Sequence, residues 1–541
     1  MRGELGVVTS VEHNATRVGA DVLRAGGNAI DAAVAIAYVL AVTHPNAGNI
    51  GGGGFMLVRL ASGESYSIDF RETAPASFTT EKLMSMLKDD GAIGYRSAGV
   101  PGSVAGLNLA RDRFGTKPLP ELMAPAIKLA RKGHRLGPRQ ALVLSWQWPK
   151  LKTDAAARAV FGEPSGKEPI KEGHTIRQVD LAKTLEVIAR DGSRAFYEGP
   201  IAQAIDKAMK AHGGHITAED LKAYRAKERA PLHFSYRGFD VATTPLPSMG
   251  GIAFAEIMLT LERLRAHEAP PGSALALHLF IEAARRGYAD RRLIGGDPDF
   301  MAADATSQTL VRLLGGAHLE ARKPIIDRER ATPSADLGAA IEAPSQESPE
   351  TTHFSVVDAA GNAVSCTTTQ SASFGSKIII PGTGLLLGNA LGGFSEKGVN
   401  AVAPGKRMAS SMSPTIVTQG GKLALVLGSP GGDTIPNTVA QVFRNVVDWG
   451  MTIDQAVAAG RMHHQYLPDK VRVEKTKAPA KPILDELTRR GHTLDLEPMV
   501  IGDANNILVD VTTGVAFGYS DTREGGKAEG VSALKKQEAR R

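Results

Sequence analysis

Apolar and polar residues alternate on both sides of a short turn in the segment that begins at Thr351. This pattern predicts two β-strands joined as a hairpin, with Gly361 in the left-handed conformation that a three-residue loop requires. Pairing Asp358 with Asn362 sets the register, and continuing that register outward brings Thr351 opposite Thr369. Two hydroxyl groups would then lie within hydrogen-bonding range on adjacent strands, although cross-strand threonine pairs are also common in sheets without a catalytic function.

The composition is that of an ordinary globular protein. Of 541 residues, 43% are hydrophobic and 22% are charged, which suits two or three average domains or one large layered domain. The net charge of +6 is too small for a surface that binds nucleic acid, because such surfaces need clustered Lys and Arg. The most basic cluster, at 535–541, is expected to be a solvated tail. A nucleic-acid partner is therefore not expected.

We expect no membrane span. The most apolar stretch, Ala29–Val42, is too short to cross a bilayer, contains Asp31, and is expected to be a buried helix. The N-terminus has no signal-peptide hydrophobic core, so we expect either a cytoplasmic protein or one whose export signal is missing from this sequence. The single cysteine, Cys366, excludes an intrachain disulfide and leaves the redox compartment open.

A run of four glycines, Gly51–Gly54, follows the first predicted helices. Those helices lie near 14–25 and 28–42, and the glycine run opens a predicted hairpin of two strands near 55–70. Dinucleotide-binding glycine loops follow a strand and open a helix, whereas this run follows a helix and opens a strand. A nucleotide site is therefore not expected here.

The rest of the chain divides into helical and strand-rich regions. Residues 103–314 are predicted to be largely helical, residues from 351 onward are strand-rich, and a helix returns near 436–449. Helix pairs, hairpins and further helices fit sheets covered by helices better than an all-α or all-β protein. Because hairpins join antiparallel strands, we expect the sheets to be mostly antiparallel.

Residues 331–350 are rich in Ala, Pro, Ser and Glu with little periodicity, which predicts a flexible linker that ends at Glu350. The linker places the Glu350–Thr351 peptide bond at the mouth of a strand. There the Thr351 hydroxyl group can attack the preceding carbonyl, and hydrolysis of the resulting ester frees the α-amino group of Thr351. That amine can act as general base for the same hydroxyl group. The segment thus predicts a self-cleaving amidase with Thr351 as nucleophile.

Two shorter motifs in the C-terminal region can also contribute to a catalytic site. Gly431 and Gly432 lie between a predicted strand, 422–427, and a helix, where their backbone N–H groups can stabilise an oxyanion. Ser410 and Ser411 precede a proline and can offer hydroxyl donors to a carboxylate. Taken alone, each motif is more often structural, because glycine-rich and Ser-Pro turns are frequent.

With these residues in hand, the chain closely resembles the gamma-glutamyltranspeptidase family of N-terminal-nucleophile hydrolases over nearly its whole length. Many matches occur in the same order, which makes coincidence negligible. The matching stretches are Gly26–Ala35, Ala41–Pro45, Gly51–Phe55, Phe70–Pro75, Thr351–His353, Ser410–Thr415, Gly428–Gly432 and His463–Gln465.

The resemblance implies an α/β fold of the α+β type, a four-layer αββα sandwich of two stacked, mostly antiparallel sheets covered by helices. It also implies autocleavage into a large subunit, 1–350, and a small subunit, 351–541, which stay associated as a heterodimer within one αββα core. The implied substrates are small γ-glutamyl or other acyl amides, with water, an amino acid or a peptide as acceptor. No metal or organic cofactor is implied, and the family resemblance suggests a periplasmic or secreted enzyme.

The catalytic roles of the family transfer to this chain by matching position. Thr351 would be the nucleophile exposed by cleavage after Glu350, and Thr369 would be its hydroxyl partner. The backbone N–H groups of Gly431 and Gly432 would form the oxyanion hole. Each of these assignments coincides with a residue that the local pattern already singles out.

The implied substrate contacts involve one cation and short hydroxyl side chains. Arg71 would bind the substrate carboxylate through its bidentate guanidinium group, with Ser410 and Ser411 assisting. The paired histidines His463 and His464 are expected to be structural, because the resemblance implies no metal.

Three positions depart from the pattern of glutamate-specific members, whose side chains there hold the α-ammonium group of the donor. Ser371 stands where those members carry Asn, while Ala390 and Gly393 stand where they carry Gln or Glu and Asp. Ser371 remains a candidate substrate contact, but these three residues do not predict a site for an ammonium group. The short segment between Phe394 and Lys406 leaves little room for a lid loop, so the cleft is expected to admit bulky or polymeric substrates.

Three functions remain open at this point. The leading one is a γ-glutamyl hydrolase or transferase that acts on glutathione-like or poly-γ-glutamyl donors through a threonyl acyl-enzyme. The second is a related acylase that takes donors with a carboxylate but no α-amino group, such as glutaryl amides. The third, an inert binding protein that never matures, is disfavoured by the intact Thr351, Thr369 and Gly431-Gly432 turn.

Overall fold

The computed structural model describes residues 1–88, 93–337, 350–497 and 500–532. Most of the expected linker, at 338–349, lies outside the described residues, as does the basic cluster at 535–541. The described chain forms two central sheets with helices on both outer sides. Within these ranges, no helix is long and apolar enough to cross a membrane.

The element boundaries agree with the patterns of the sequence around the predicted site. The strands are β1 (Arg2–Gly3), β2 (Gly6–Ser10), β3 (Gly53–Arg59), β4 (Ser65–Asp69), β5 (His134–Arg135), β6 (Thr175–Ile176), β7 (Lys227–Arg229), β8 (Leu232–Tyr236), β9 (Phe239–Thr243), β10 (Thr352–Asp358), β11 (Ala363–Thr369), β12 (Ile379–Ile380), β13 (Leu385–Leu386), β14 (Thr415–Gln419), β15 (Lys422–Leu427), β16 (Met462–His463), β17 (Val471–Glu474), β18 (Leu494–Glu497), β19 (Asn505–Val509), β20 (Ala516–Ser520) and β21 (Lys527–Val531). The α-helices are α1 (His13–Arg24), α2 (Ala29–Thr43), α3 (Thr80–Lys88), α4 (Ser103–Phe114), α5 (Leu119–Lys132), α6 (Pro138–Leu151), α7 (Ala155–Phe161), α8 (Val179–Asp191), α9 (Ser193–Tyr197), α10 (Pro200–His212), α11 (Ala218–Ala223), α12 (Gly250–Arg263), α13 (Ala274–Asp290), α14 (Ala303–Leu314), α15 (Gly316–Arg322), α16 (Ile435–Val447), α17 (Ile453–Ala458) and α18 (Lys481–Arg489). The two helices predicted nearest the N-terminus are α1 and α2.

The hairpin predicted from the alternating pattern is formed by β10 and β11. Its register is the predicted one, with Thr352 opposite Thr368. The backbone N–H of Asp358 donates to the Asn362 carbonyl at 3.1 Å. Gly361 has the predicted positive φ, at 89°. The strand ends that carry the two candidate hydroxyl groups therefore lie side by side.

Two seven-stranded sheets occupy the centre of the molecule. Their strand orders are β21-β2-β10-β11-β3-β4-β7 and β1-β20-β19-β15-β14-β9-β8. Every neighbouring pair in both sheets is antiparallel, as the hairpin pattern predicted. Strands from before and after Glu350 are mixed within each sheet, so neither part of the chain contains a complete sheet.

Side-chain alternation on the central strands separates three apolar layers. On β10, Val356 packs with residues of α1 and α2, whereas Val357 faces the second sheet. On β15, Val426 faces the first sheet, whereas Leu425 and Leu427 pack with residues of α12 and α16. Because side chains alternate between the two faces of a strand, each sheet contacts helices on one face and the other sheet on the other. This order confirms the expected αββα fold.

The charge within the most apolar stretch has a structural role. All residues of α2 are buried, Asp31 among them, and Asp31 forms a capping box with Asn28 at the start of the helix. The Asp31 carboxylate also accepts hydrogen bonds from the Thr116 N–H and hydroxyl groups and from the Lys117 N–H. These bonds satisfy the buried charge and attach α2 to the loop after α4.

Candidate active site

Thr351 and Thr369 meet where β10 begins and β11 ends. The Thr351 hydroxyl group donates a hydrogen bond to Thr369 Oγ1 over 3.3 Å. Thr369 Oγ1 donates to the carbonyl oxygen of Glu350 at 2.7 Å and accepts from the backbone N–H of Ser371 at 2.9 Å. Thr351 is 9% exposed. The Thr369 hydroxyl group thus contacts both Thr351, the predicted nucleophile, and the Glu350 carbonyl group that Thr351 would attack.

The loop after β11 holds three non-glycine residues in the left-handed region. Ser371, Phe374 and Lys377 have φ values of 71°, 56° and 66°. Such conformations cost about 1–3 kcal/mol each, and they cluster at functional sites, where the surrounding contacts enforce them. Here the Phe374 N–H donates to the Asn46 carbonyl at 2.9 Å, and the Ser371 N–H donates to Thr369. The loop is therefore held at both ends beside the hydroxyl pair.

Asn49 and the glycine run hold the end of β11 in place. The side-chain amide of Asn49 donates to the Thr369 carbonyl at 2.9 Å, and its oxygen accepts from the Gly52 N–H at 2.8 Å and the Ser103 hydroxyl group at 2.6 Å. A Cβ atom on Gly52 would lie 2.2 Å from the Thr369 carbonyl oxygen, so only glycine allows this approach. Asn49 has no local signature in the sequence apart from its place between two family-like stretches.

His353 connects the strand of the nucleophile to the loop after β15. Its ring bonds through Nδ1 to the Thr367 hydroxyl group at 2.9 Å and through Nε2 to the Ser355 hydroxyl group at 3.0 Å. A Cβ atom on Gly428 would lie 2.1 Å from the ring, so the loop can start here only with glycine. Burial lowers the pKa of His353 to about 3, which keeps the ring neutral at physiological pH.

Gly431 and Gly432 form the turn before α16, with positive φ values of 129° and 56°. The Gly431 carbonyl accepts from the N–H and hydroxyl groups of Thr434, at 3.1 and 2.9 Å. With the described residues, neither glycine N–H forms a hydrogen bond, so both donors remain available. Their loop starts beside the His353 ring, which brings the predicted oxyanion turn close to the nucleophile strand.

The serine pair is buried and joined to the same turn. Ser411 Oγ accepts from Arg291 Nη1 at 2.9 Å and donates to Asp433 Oδ1 at 3.2 Å. Arg291 also donates to Asp433 at 2.8 Å, and Ser410 Oγ accepts from the Met412 N–H at 3.2 Å. The predicted carboxylate contacts are thus linked to the residue that follows the glycine pair. Arg291 and Asp433, which make this link, were not found by sequence analysis.

Arg71 follows β4 and is 2% exposed. Its Nη1 donates to Glu72 Oε2 at 2.9 Å, and its backbone carbonyl accepts from the Tyr224 hydroxyl group at 2.9 Å. Burial raises the pKa of Glu72, and the Arg71 charge opposes that shift. In the described part of the chain, Arg71 Nε has no hydrogen-bond partner. The guanidinium group therefore belongs to a buried ion pair with Glu72 here, and its Nε–H is unsatisfied among the described residues.

Comparison with known proteins assigns the chain to a family. The family model described as Gamma-glutamyltranspeptidase matches residues 15–531. The chain belongs to the gamma-glutamyltranspeptidase family. This confirms the resemblance and the enzyme class expected from the sequence. A relative from Escherichia coli (strain K12), named glutathione hydrolase proenzyme, is 42% identical, with 97% of this chain and 91% of the relative covered.

Other relatives of this gamma-glutamyltranspeptidase family chain have acylase names. Acylase ACY 1 proenzyme from Pseudomonas sp. (strain SE83) is 34% identical, with 96% of this chain and 93% of the relative covered. The crystal structure of cephalosporin acylase from Bacillus halodurans has a TM-score of 0.87 at 27% identity, and the match covers 98% of this chain and 96% of that one. The chain is thus similar to proteins with both kinds of name.

Two of the three positions that the resemblance assigns to binding of a donor ammonium group, Ala390 and Gly393, are apolar in this member. Ala390 is buried in a cluster with Phe394 and Met408. A Cβ atom on Gly393 would lie 1.9 Å from Met408 Cε, so the methionine fills the space that a larger residue would occupy. Ser371 Oγ is buried and has no hydrogen-bond partner within the described residues. Ser371 is therefore the one polar side chain among the three positions that depart from the glutamate-specific pattern.

The paired histidines of the family-like stretch His463–Gln465 both bond to protein groups. Asn437 Nδ2 donates to His463 Nδ1 at 2.8 Å, and His464 Nε2 lies 3.1 Å from Asp469 Oδ1. Burial lowers the pKa of His463 to about 3. The rings thus have structural contacts of the kind expected for them.

A separate cluster brings three potential metal-ligating side chains together. Ligand atoms of Glu256, Asp290 and His318 lie within 4.8 Å of one another. Arg322 donates to both carboxylates, which provides the cluster with a cation of its own. The group lies between α12, α13 and α15, and its donors fit a salt-bridge network that joins these helices.

Acid sensitivity is expected from His353. Its pKa is lowered from 6.5 to about 3 in the folded chain, so the unfolded chain binds the proton more tightly and stability is lost as the pH falls from about 6.5 toward 3. At pH 5, titration of this one group lowers the free energy of unfolding by about 2 kcal/mol relative to pH 7. We expect the urea midpoint of the uncleaved Thr351→Ala chain to fall between pH 7 and pH 5.

His353→Gln in the same background should lose less stability over this interval, because glutamine does not titrate. The matched control is His174→Gln at an exposed position, which should keep the original pH dependence. A His353→Gln chain with undiminished acid sensitivity would contradict this prediction.

Proposed function

We propose that this chain is an autoprocessing amidase that cleaves its own Glu350–Thr351 bond and then uses Thr351 as nucleophile on γ-glutamyl or glutaryl amides. One observation carries the proposal. The Thr369 hydroxyl group donates to the Glu350 carbonyl oxygen at 2.7 Å and accepts from the Thr351 hydroxyl group at 3.3 Å. A purely structural threonine pair has no need of a contact to the preceding carbonyl group.

In the proposed cleavage, Thr351 Oγ1 attacks the carbonyl carbon of Glu350. A C–O bond forms, the C–N bond of the peptide breaks, and the hydroxyl proton goes to the departing nitrogen of Thr351. Negative charge builds up on the Glu350 carbonyl oxygen, where the Thr369 hydroxyl group already donates. Water then hydrolyses the ester, which releases the Glu350 carboxylate and leaves Thr351 with a free α-amino group.

In the matured enzyme, this α-amino group serves as general base for the Thr351 hydroxyl group. Attack on the donor amide forms an acyl ester, and the leaving amine departs with a proton. The unbonded N–H groups of Gly431 and Gly432 are the proposed donors to the oxyanion. Water or an acceptor amine then takes the acyl group and restores the free threonine.

We propose that the products of cleavage, 1–350 and 351–541, remain together as a heterodimer. In the first sheet, β10 and β11 of the small subunit lie between β2 and β3 of the large subunit. In the second sheet, β14 of the small subunit pairs with β9 of the large one. Separation would break backbone hydrogen bonds in both sheets and expose the apolar layers, which supports a stable association.

The donor carboxylate is assigned to Arg71, with Ser410 and Ser411 assisting. Support comes from the buried Arg71 Nε, which keeps a free donor in the described residues, and from the suitability of a guanidinium group for carboxylates. Ser411 is joined through Arg291 and Asp433 to the oxyanion turn. A carboxylate bound there would position the far end of the acyl chain.

The apolar lining supports the glutaryl alternative and leads to a prediction about donors. An ammonium group beside Gly393 and Met408 would lose its hydrogen bonds to water, and an unreplaced partner costs about 1–3 kcal/mol. We therefore expect weak selectivity for γ-glutamyl over glutaryl donors, within about tenfold, or about 1.4 kcal/mol. The measurement is kcat/KM of the matured enzyme for γ-glutamyl and glutaryl anilides.

Gly393→Asp combined with Ala390→Gln and Met408→Ala should shift the preference toward γ-glutamyl donors. The smaller residue at 408 makes room for the new carboxylate, and Met408→Ala alone separates the effect of space from that of charge. A site built to bind a polar group strongly rejects analogues that lack this group. A preference of the native enzyme for γ-glutamyl donors by about a thousandfold would indicate such a site for the ammonium group and would refute the prediction.

A further inference from the structure

Lys377 is a buried cation in the strained loop after β11. The residue is 5% exposed and has a φ of 66°. A left-handed backbone is costly for lysine, and so is the burial of most of its charged side chain. Both are tolerated where the residue contributes to a functional site.

Lys377 interacts electrostatically with Glu350, the residue whose peptide bond is broken in the proposed cleavage, and Arg139 also interacts with that carboxylate. Burial lowers the pKa of Lys377 to about 8, while the Glu350 carboxylate opposes the shift and Lys150 adds to it. Asn46 Nδ2 donates to Glu350 Oε2 at 3.4 Å. The Asn46 carbonyl accepts from the Phe374 N–H at 2.9 Å. Asn46 therefore connects the Glu350 side chain to the loop that carries Lys377.

Glu350 has the same acyl skeleton as the proposed donors. Three carbon atoms separate the carbonyl carbon that Thr351 attacks from the side-chain carboxylate carbon. A glutaryl or γ-glutamyl amide likewise has three carbon atoms between its amide carbonyl and its distal carboxylate. In Glu350 the nitrogen is next to the attacked carbonyl, whereas in a γ-glutamyl donor it is next to the distal carboxylate. The ester formed during maturation thus places a carboxylate at the same distance from the ester carbonyl as the donor acyl-enzyme does.

We propose that Lys377 and Asn46 form a second contact for the distal carboxylate of the acyl donor, in addition to Arg71, and that Glu350 occupies this subsite as an internal donor analogue until cleavage. The inference rests on the proposed function, because it assumes acyl transfer to Thr351. It assigns the subsite to a five-carbon dicarboxylic acyl group and requires no ammonium group on the donor.

Cleavage converts Glu350 from a link in the chain to a free chain end. When this end leaves the site, Lys377 loses the charge of the Glu350 carboxylate. A donor carboxylate restores the pair and adds charge-assisted hydrogen bonds. An acyl group of the same length without the carboxylate leaves the cation unpaired. Lys377 should therefore discriminate between these two kinds of donor.

The test compares the matured wild-type enzyme with Lys377→Met and Lys377→Gly. Glycine adopts the φ of 66° without strain and so preserves the loop. The donors are glutaryl p-nitroanilide and valeryl p-nitroanilide, in which a methyl group replaces the carboxylate. We expect both variants to lose about tenfold or more of the preference for the glutaryl donor, through a higher KM. The readout is the ratio of kcat/KM for the glutaryl donor to kcat/KM for the valeryl donor in each variant.

Two further variants control for charge and position. Lys377→Arg keeps a cation and should retain most of the preference. Lys150→Met removes an exposed lysine that interacts with Lys377, and it should retain the full preference. A glutaryl-to-valeryl ratio that stays at the wild-type value in both Lys377→Met and Lys377→Gly would overturn the inference. A glutaryl-to-valeryl ratio that falls in Arg71→Lys but not in the two Lys377 variants would assign the donor carboxylate to Arg71 and not to Lys377.

Failure of the proposed function would look different. It would appear as a wild-type chain that never separates into two bands on a denaturing gel, or as a Thr351→Ala chain that still hydrolyses donors. Normal cleavage and turnover with an unaltered donor ratio in the Lys377 variants would overturn only the carboxylate subsite.

Discussion

Replacement of Thr351 by alanine is expected to leave one uncleaved chain of 57.0 kDa without amidase activity. The same hydroxyl group attacks the Glu350 carbonyl in maturation and the donor carbonyl in turnover, so the loss of turnover should reach about 10⁴-fold or more. Wild-type protein should run as two polypeptides of about two-thirds and one-third of this mass. N-terminal sequencing of the smaller one should begin Thr-Thr-His-Phe.

The neighbouring Thr352 provides the matched control. Its hydroxyl oxygen is buried and has no hydrogen-bond partner among the residues that the structure describes. Thr352→Val therefore removes a hydroxyl group without leaving another group unsatisfied. This variant should cleave itself and turn over donors like the wild type. Cleavage of the Thr351→Ala chain, or full activity of an uncleaved chain, would show that another residue is the nucleophile.

Replacement of Thr369 by valine should slow the cleavage of the precursor by about 10²- to 10³-fold. Valine keeps the branched shape that suits a strand, but it removes the donor that lies 2.7 Å from the Glu350 carbonyl oxygen. The Ser371 N–H also loses its acceptor. The rate is measured as the half-time for conversion of newly made chain into two bands on a denaturing gel.

Two variants test whether this effect belongs to the hydroxyl group. Thr369→Ser keeps the donor and should retain most of the cleavage rate. Thr9→Val changes a threonine on β2, which pairs with β10. The Thr9 hydroxyl oxygen has no hydrogen-bond partner in the described structure, so the Thr9→Val precursor should cleave at the wild-type rate. Cleavage of Thr369→Val at the wild-type rate would remove the 2.7 Å contact from the mechanism.

Local patterns were sufficient to predict the hairpin and the two hydroxyl groups. Because side chains alternate with a period of two along a strand, one turn and one glycine specify which residues face each other. The pair of Thr351 and Thr369 followed from that register alone. The αββα order of layers did not follow from local patterns. It came from the family resemblance, since the two sheets are assembled from strands distant in sequence.

Several contacts of the candidate site could not be predicted because their partners are far apart in the chain. Asn49 bonds to the end of β11, and Arg291 joins Ser411 to Asp433. Neither arrangement has a local signature, because each depends on how separate loops approach one another. The apolar space beside residue 393 likewise required the position of Met408, which lies on a different segment.

The sequence by itself predicted Thr351 as nucleophile, Thr369 as its partner hydroxyl group and the Glu350–Thr351 bond as the cleavage site. Backbone periodicity supplied the register of the two threonines, and the family resemblance supplied their catalytic roles. Only the tertiary structure decided that Thr369 reaches the carbonyl group of Glu350 and that Lys377 is buried beside the same residue. Hydrogen bonds and charge pairing depend on distance and burial, and folding sets both through contacts between residues that are remote in the chain.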